Sequence, residues 1–239
     1  MSLKGMNMAS ILECRNLSKT YGPVVAIDQM DLVMGEDRIV GLLGPNGSGK
    51  TTLMKLAAGL LQPTSGEILV AGQKVGPATK ALVSYLPDQT YLPASMNSLK
   101  AIEMFKDFYS DFDAAKAMEM IKRLGIDPNM RFKALSKGNK EKIQLILVMS
   151  RNARLFVLDE PIGGVDPATR DFILQTIVSN HQAGSSVLIS THLVADVEPI
   201  LDDVVMINSG RVVYAGGAEE MRRQRGKTLD AAFREEFRC

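Results

Sequence analysis

The chain has 239 residues, enough to bury one substantial core, and carries 28 basic against 27 acidic side chains. That balance argues against strong nonspecific binding to nucleic acid or to an anionic membrane surface, both of which rely on an excess of Lys and Arg. No apolar run approaches the roughly 20 residues needed to span a bilayer, and Cys14 and Cys239 stand near opposite ends with no metal-ligand spacing. A reduced, intracellular setting is expected, with any membrane role coming through a partner.

The N-terminus, MSLKGMNMAS, lacks an apolar signal core and reads as a leader ahead of a native start at Met6 or Met8. Strands are expected over residues 11–17, 26–34 and 38–43, from alternating or continuous apolar runs. A helix over 50–60, a strand over 66–70 and a buried strand over 82–86, closed by Pro87, come next. The character then changes between about 98 and 150. Ile102, Phe105, Phe108 and Tyr109 fall at helical spacing, as do Ala117, Ile121 and Leu124, and Gly125 with Pro128 ends that helix. Residues 140–150 give a third helix, its apolar run interrupted by Gln144. Strand and helix alternate again over 155–158, 168–178, 186–190, 204–208 and 211–214. In the tail, Leu229, Phe233 and Phe237 share a helical face behind the basic run Arg222, Arg223 and Arg225, and this face is expected to dock on the chain's own core. No repeat, low-complexity segment or sustained heptad pattern is present. Strands joined by helices imply an α/β fold: a mainly parallel sheet covered on both faces, interrupted by a helical insertion.

Residues 44–52 read GPNGSGKTT and fit the G-x-x-x-x-G-K-[ST] template, following an expected strand and opening an expected helix. Gly44, Gly47 and Gly49, with Asn46 and Ser48 between them, let backbone N–H groups close around phosphate oxygens at a helix N-terminus that favours anions. Lys50 is expected to reach the β- and γ-phosphates of a nucleotide and the Thr51 hydroxyl to coordinate Mg²⁺, with Thr52 in the same first turn. Residues 155–161, LFVLDEP, form an apolar strand ending in two acids, where carboxylates emerge at the sheet's carboxyl edge. Asp159 is expected to hold Mg²⁺, directly or through water, and Glu160 to polarise an attacking water as general base.

Residues 135–139 read LSKGN. Taken alone, Ser136 and Gly138 are an ordinary helix N-cap followed by a glycine. Their hydroxyl and N–H groups, with the helix dipole, also make a second anion site. Position decides for the second reading, because Leu135 lies 24 residues before Asp159, close behind the helical insertion.

These motifs in this order resemble the nucleotide-binding, ATP-hydrolysing subunit of a bacterial-type ATP-binding cassette (ABC) transporter, and the resemblance covers nearly the whole chain. It implies a RecA-like P-loop NTPase core with an N-terminal antiparallel β subdomain and an inserted helical subdomain. The expected organisation is a single domain over 1–239: core about 1–94 and 151–217, helical subdomain about 95–150, and a short helical tail 218–239. Tyr21 matches the aromatic that stacks on adenine, and Val25 lies near the ribose position. GGVD, residues 163–166, matches the loop that touches an opposite subunit through Asp166. ISTH, ending at His192, matches the histidine that contacts the γ-phosphate, so Lys50, Glu160 and His192 are the implied catalytic set. Residues 210–216 resemble the closing hairpin.

The resemblance further implies a site shared between two subunits, with Ser136, Lys137, Gly138 and Asn139 of one closing over the ATP of the other. The usual signature is LSGGQ; here Lys137 replaces its first glycine and Asn139 its glutamine. Asp88 occupies the family's metal-site glutamine position, counting back four residues from Leu92, and Gln89 sits one place late. Asp88 and Gln89 are therefore implied metal-site residues, and the extra negative charge of Asp88 is expected to alter metal affinity or coupling. The implied partners are a transmembrane permease subunit and a second nucleotide-binding subunit, identical or paralogous, with no nucleic acid, at the cytoplasmic face of the membrane. Tyr91, Leu92, Met96, Phe105 and Tyr109 are candidates either for the permease groove or for the helical core. The competing function is a non-transport regulatory or switch ATPase with weak hydrolysis.

Overall fold

Strand segments over residues 10–35 and 65–74 build an antiparallel sheet. The computed structural model describes residues 10–237; the leader with its Met6 or Met8 start, and Cys239, lie outside the described residues. Strands β1 (Ser10–Tyr21), β2 (Val24–Gly35), β4 (Ser65–Val70) and β5 (Gln73–Lys74) pair in the order β2-β1-β4-β5. A second sheet has β3 (Ile39–Leu43), β6 (Val83–Leu86), β7 (Leu155–Asp159), β8 (Ser186–Thr191), β9 (Asp203–Asn208) and β10 (Arg211–Gly217), ordered β10-β9-β3-β8-β7-β6. Its pairings are parallel except for the β9–β10 hairpin. Every residue of β3, β7 and β8 is buried, as central parallel strands covered on both faces must be.

Alternation along these strands sorts the core into two layers. Val40, Leu42, Leu155 and Val157 face the antiparallel sheet and helix α1 (Lys50–Ala57). Ile39, Leu43, Phe156 and Leu158 face the opposite layer, built by α5 (Lys137–Met149), α6 (Pro167–Asn180) and the tail helix α9 (Leu229–Phe237). Leu229 and Phe233 are buried in that second layer, and Glu198 accepts the N–H of Leu229 at 3.0 Å, tying the tail to the segment after α7 (Val194–Val197). Cys14 is a buried free thiol in the first layer, and burial pushes its pKa up to about 12. This is the α/β arrangement of a P-loop NTPase with an antiparallel N-terminal sheet.

A third apolar cluster joins α3 (Ser98–Phe108), α4 (Ala114–Arg123) and the outer face of α5, with Ile102, Phe105, Ile121, Phe132 and Ile143 at its centre. Asn97 and Asp113 cap α3 and α4 by accepting the N–H groups of Lys100 and Lys116. Arg151 bolts this cluster to the parallel sheet. Its guanidinium is forked onto Asp111 (3.1 Å), donates to the carbonyls of Val83 (2.6 Å) and Ala81 (2.8 Å), and lies 3.9 Å from the centre of the Tyr109 ring.

One sequence expectation needs correction, at the start of α5. In α3, Phe108 keeps the helical spacing of Ile102 and Phe105 but is 77% exposed. Steps of three residues turn only about 300°, so the third member of such a series has rotated off the buried face. Helix α5 begins at Lys137, not near residue 140, because Ser136 caps it, its hydroxyl accepting the N–H of Asn139 at 3.2 Å. The short β5 and helix α2 (Pro77–Lys80) carry no period long enough to predict.

Candidate functional site

The loop between β3 and α1 forms one wall of the site. Gly49 there has φ +107°, and a Cβ would come within 2.4 Å of the Ala26 carbonyl on β2, so both conformation and space demand glycine. That contact also sets β2 against the loop, one residue from the exposed Val25, while Tyr21 lies exposed at the end of the same hairpin. Gly44, Asn46, Gly47 and Ser48 make the rest of the turn, and Lys50, Thr51 and Thr52 open α1 without any side-chain cap on its first N–H groups. Those free N–H groups and the helix dipole favour an anion.

Lys50 is buried, and its ammonium donates to the carbonyls of Gly44 (2.7 Å) and Pro45 (3.1 Å). Burial holds its pKa below the usual lysine value, while the carboxylates of Glu160 and Asp159 oppose that effect. The cation is thus held by its own loop, within the electrostatic reach of two acids.

The opposite wall comes from the ends of β7 and β8. Asp159 is fully buried; its Oδ1 accepts from Ser190 Oγ at 2.6 Å, and its Oδ2 is buried with no partner among the described residues. An orphaned carboxylate oxygen of this kind suits a hard cation, with the Thr51 hydroxyl and phosphate oxygens as further donors. No group of three or more His, Cys, Asp and Glu forms a metal centre by itself among the described residues. Glu160 turns into the left-handed region (φ +48°), its N–H donating to Ser190 Oγ at 2.9 Å and its Oε2 lying 2.9 Å from His192 Nδ1.

Asp88 and Gln89, both exposed, follow β6 and separate two hollows. The smaller is lined by Glu141, Gln144 and Glu160; the larger, about 870 Å³, by Tyr85, Tyr91, Phe105, Phe108 and Tyr109. Among the groove candidates, Leu92 and Phe105 are buried in the helical core, Met96 and Tyr109 are partly buried against it, and Tyr91 is 40% exposed. Phe105 and Tyr109 line the larger hollow as well, so they serve core and cleft together.

The LSKGN turn makes its close contacts with the GGVD loop of the same chain. A Cβ on Gly138 would stand 2.8 Å from Thr169 Oγ1, which requires glycine where α5 meets α6. Lys137 Nζ donates to the Gly164 carbonyl at 3.1 Å, and Asn139 is half-buried one turn into the helix. Asp166 caps α6, accepting from the Thr169 hydroxyl at 2.7 Å and its N–H at 2.9 Å, which holds its carboxyl below the usual range.

Sequence reasoning missed Ser190, which lies inside the ISTH motif but was read only for its histidine. It also missed the role of Gln144, whose interruption of an apolar run was the available signal. The Gln144 amide is buried, accepts the N–H of Tyr91 at 3.2 Å and donates to Thr90 Oγ1 at 3.3 Å.

The sequence pattern defining the family described as ABC transporter matches residues 27–163, more than half of the chain. The chain belongs to the ABC transporter family. An uncharacterized ABC transporter ATP-binding protein of Bacillus subtilis (strain 168), YhaQ, is 30% identical over 226 residues, spanning 91% of this chain and 74% of that protein. The lipopolysaccharide export system ATP-binding protein LptB of Haemophilus influenzae is 29% identical, spanning 89% of this chain and 92% of that protein. The solved structure of an ATP-binding subunit of an ABC transporter superimposes with a TM-score of 0.83 at 27% identity, covering 95% of this chain and 99% of that one. This ABC subunit is an ATPase that powers a separate membrane component. Among its described residues no helix is long and apolar enough to cross a membrane.

Proposed function

We propose that hydrolysis takes place at a composite site of two cassettes, with Lys50, Glu160 and His192 as its catalytic residues. The observation that carries this reading is the pair of acids at the end of β7: Asp159 is buried with Oδ2 unpartnered among the described residues, and Glu160 beside it lies 2.9 Å from His192 Nδ1. Tyr21 and Val25 receive adenine and ribose, and the N–H groups of residues 44–52 enclose the phosphates. Lys50 then exchanges the Gly44 and Pro45 carbonyls for β- and γ-phosphate oxygens. Ser136, Lys137, Gly138, Asn139 and Asp166 of a second subunit close over the γ-phosphate. Glu160 takes the proton of the attacking water, and Lys50 with His192 stabilises charge on the transferring group. Thr51 and Asp159 are the proposed Mg²⁺ ligands, with Asp88 and Gln89 nearby; the metal supplies charge neutralisation at the phosphates. Asp159's unpartnered Oδ2 supports that assignment.

Residues 1–94 and 151–217 are the proposed core, 95–150 the helical subdomain and 218–239 the tail of one cassette. The cleft with exposed Phe108 and Tyr91 is the proposed seat of a permease subunit, holding the protein at the cytoplasmic face of the membrane. Dimer closure and reopening would then bias that partner between two states through ATP's preference for the closed form. The test is Glu160→Gln with saturating Mg-ATP, followed by sedimentation. A dimer is expected; a persistent monomer overturns the two-subunit mechanism.

A further inference from the structure

Ser190, the penultimate residue of β8, stands directly opposite Asp159 in the β7–β8 register and is fully buried. A serine hydroxyl has one proton to donate and two lone pairs to accept with. Both functions are used here on neighbouring carboxylate residues. The proton goes to Asp159 Oδ1 at 2.6 Å, and a lone pair takes the Glu160 N–H at 2.9 Å. His192, two residues further on, holds the Glu160 side chain.

We propose that Ser190 is the positioning residue that sets both acids at once, an inference that rests on the reading of Asp159 as metal ligand and Glu160 as base. Occupying Oδ1 restrains the carboxylate and leaves Oδ2 as the unpartnered oxygen available to a cation. Catching the Glu160 N–H holds that residue in the left-handed conformation (φ +48°), which a non-glycine residue adopts only when its surroundings enforce it. The two bonds reinforce each other, because donating a proton makes the serine oxygen a better acceptor. Orientation of a ligating carboxylate by a second hydrogen bond is a general determinant of metal affinity. No other described side chain is bonded to the Asp159 carboxylate, so the alignment depends on this one hydroxyl.

The test measures binding of a fluorescent ATP analogue to the full chain with Mg²⁺ and with EDTA, for Ser190→Ala, Ser190→Thr and Asp159→Asn, with thermal melting as the check on folding. Ser190→Ala is expected to raise Kd about tenfold in Mg²⁺ while leaving Kd in EDTA unchanged, and Ser190→Thr, which keeps the hydroxyl, to restore binding. Should Ser190→Ala fail to fold, Ser190→Cys, a weak donor of similar size, is read by the same criterion. If Asp159→Asn abolishes the Mg²⁺ effect but loss of the Ser190 hydroxyl leaves it intact, or weakens binding equally with and without the metal, Ser190 is a core residue only and the inference is overturned. If Asp159→Asn itself leaves the Mg²⁺ effect intact, the metal reading fails first and takes the inference with it.

Discussion

Glu160 and His192 engage each other directly, with Oε2 2.9 Å from Nδ1. The bond orients the carboxylate but also occupies one of its oxygens. In the proposed mechanism, closure turns His192 toward the γ-phosphate and releases Glu160 to the water, so the two residues are expected to act as one unit. His192→Ala is expected to lower kcat about 100-fold with little change in nucleotide affinity. Because the pair is coupled, Glu160→Gln with His192→Ala should be scarcely slower than Glu160→Gln alone. Additive losses in single-turnover assays would show that they act separately.

Lys50 is expected to set an alkaline limit on ATP affinity. Burial lowers its pKa from 10.5, with Glu160 and Asp159 opposing. Phosphate binding favours the charged form, so affinity for ATP should fall as pH rises through that depressed value, earlier than for an ordinary lysine. The stability effect has the opposite sign. Between the depressed folded pKa and the unfolded one, the unfolded chain binds more protons, so this group's contribution to stability rises with pH. ATP titrations in EDTA across the alkaline range should show the fall in wild type and not in Lys50→Met; identical profiles would refute the assignment.

Arg151 is 2% exposed at its side chain and satisfies Asp111 and two carbonyls of the β6 segment together. Arg151→Met leaves those acceptors unpaired, at a cost of about 3 kcal/mol. The expected result is a melting temperature roughly 6–12 °C lower. Hydrogen exchange should quicken first in α3 and α4, which the guanidinium fastens to the sheet.

Much of this site was legible in the sequence because its chemistry is local. The 44–52 loop writes its glycines, lysine and threonines consecutively, and a continuous apolar run ending in Asp159 and Glu160 announces a buried strand. What stayed hidden depends on pairs distant in the chain. Ser190 meets Asp159 across 31 positions, and Arg151 meets Val83 across 68. Nothing in a strand reading LIS marks its serine as a clamp. The exposure of Phe108 was not legible from spacing alone, because a three-residue step is close to, but not equal to, a helical turn. The helical boundaries of α5 moved because a capping serine recruits the residues after it into the first turn.

Lys137 stands where the family's signature has a glycine, with its side chain 65% exposed. Exposure limits its worth to folding, so Lys137→Met should change stability by less than about 0.5 kcal/mol. Its charge is expected to act on the opposing triphosphate. In a Glu160→Gln background, Lys137→Met and Lys137→Gln should each weaken ATP-driven dimerisation about fivefold, the size of a ~1 kcal/mol contact in high dielectric. Lys137→Arg should keep the affinity. Preservation by Lys137→Gln instead would assign the role to its bond with the Gly164 carbonyl.

Residues 87–90 form a partition, with the aromatic cleft on one side and the hollow holding Glu160 on the other. Gln144 pins that partition to the helix whose first turn carries the signature. A wedge entering the cleft would therefore press on a wall one segment thick, with the chemistry directly behind it and the dimer contact at the far end of the same helix. If that cleft seats the permease as proposed, Tyr91, Phe108 and their neighbours could be redrawn for another partner while the residues behind the wall stay as they are.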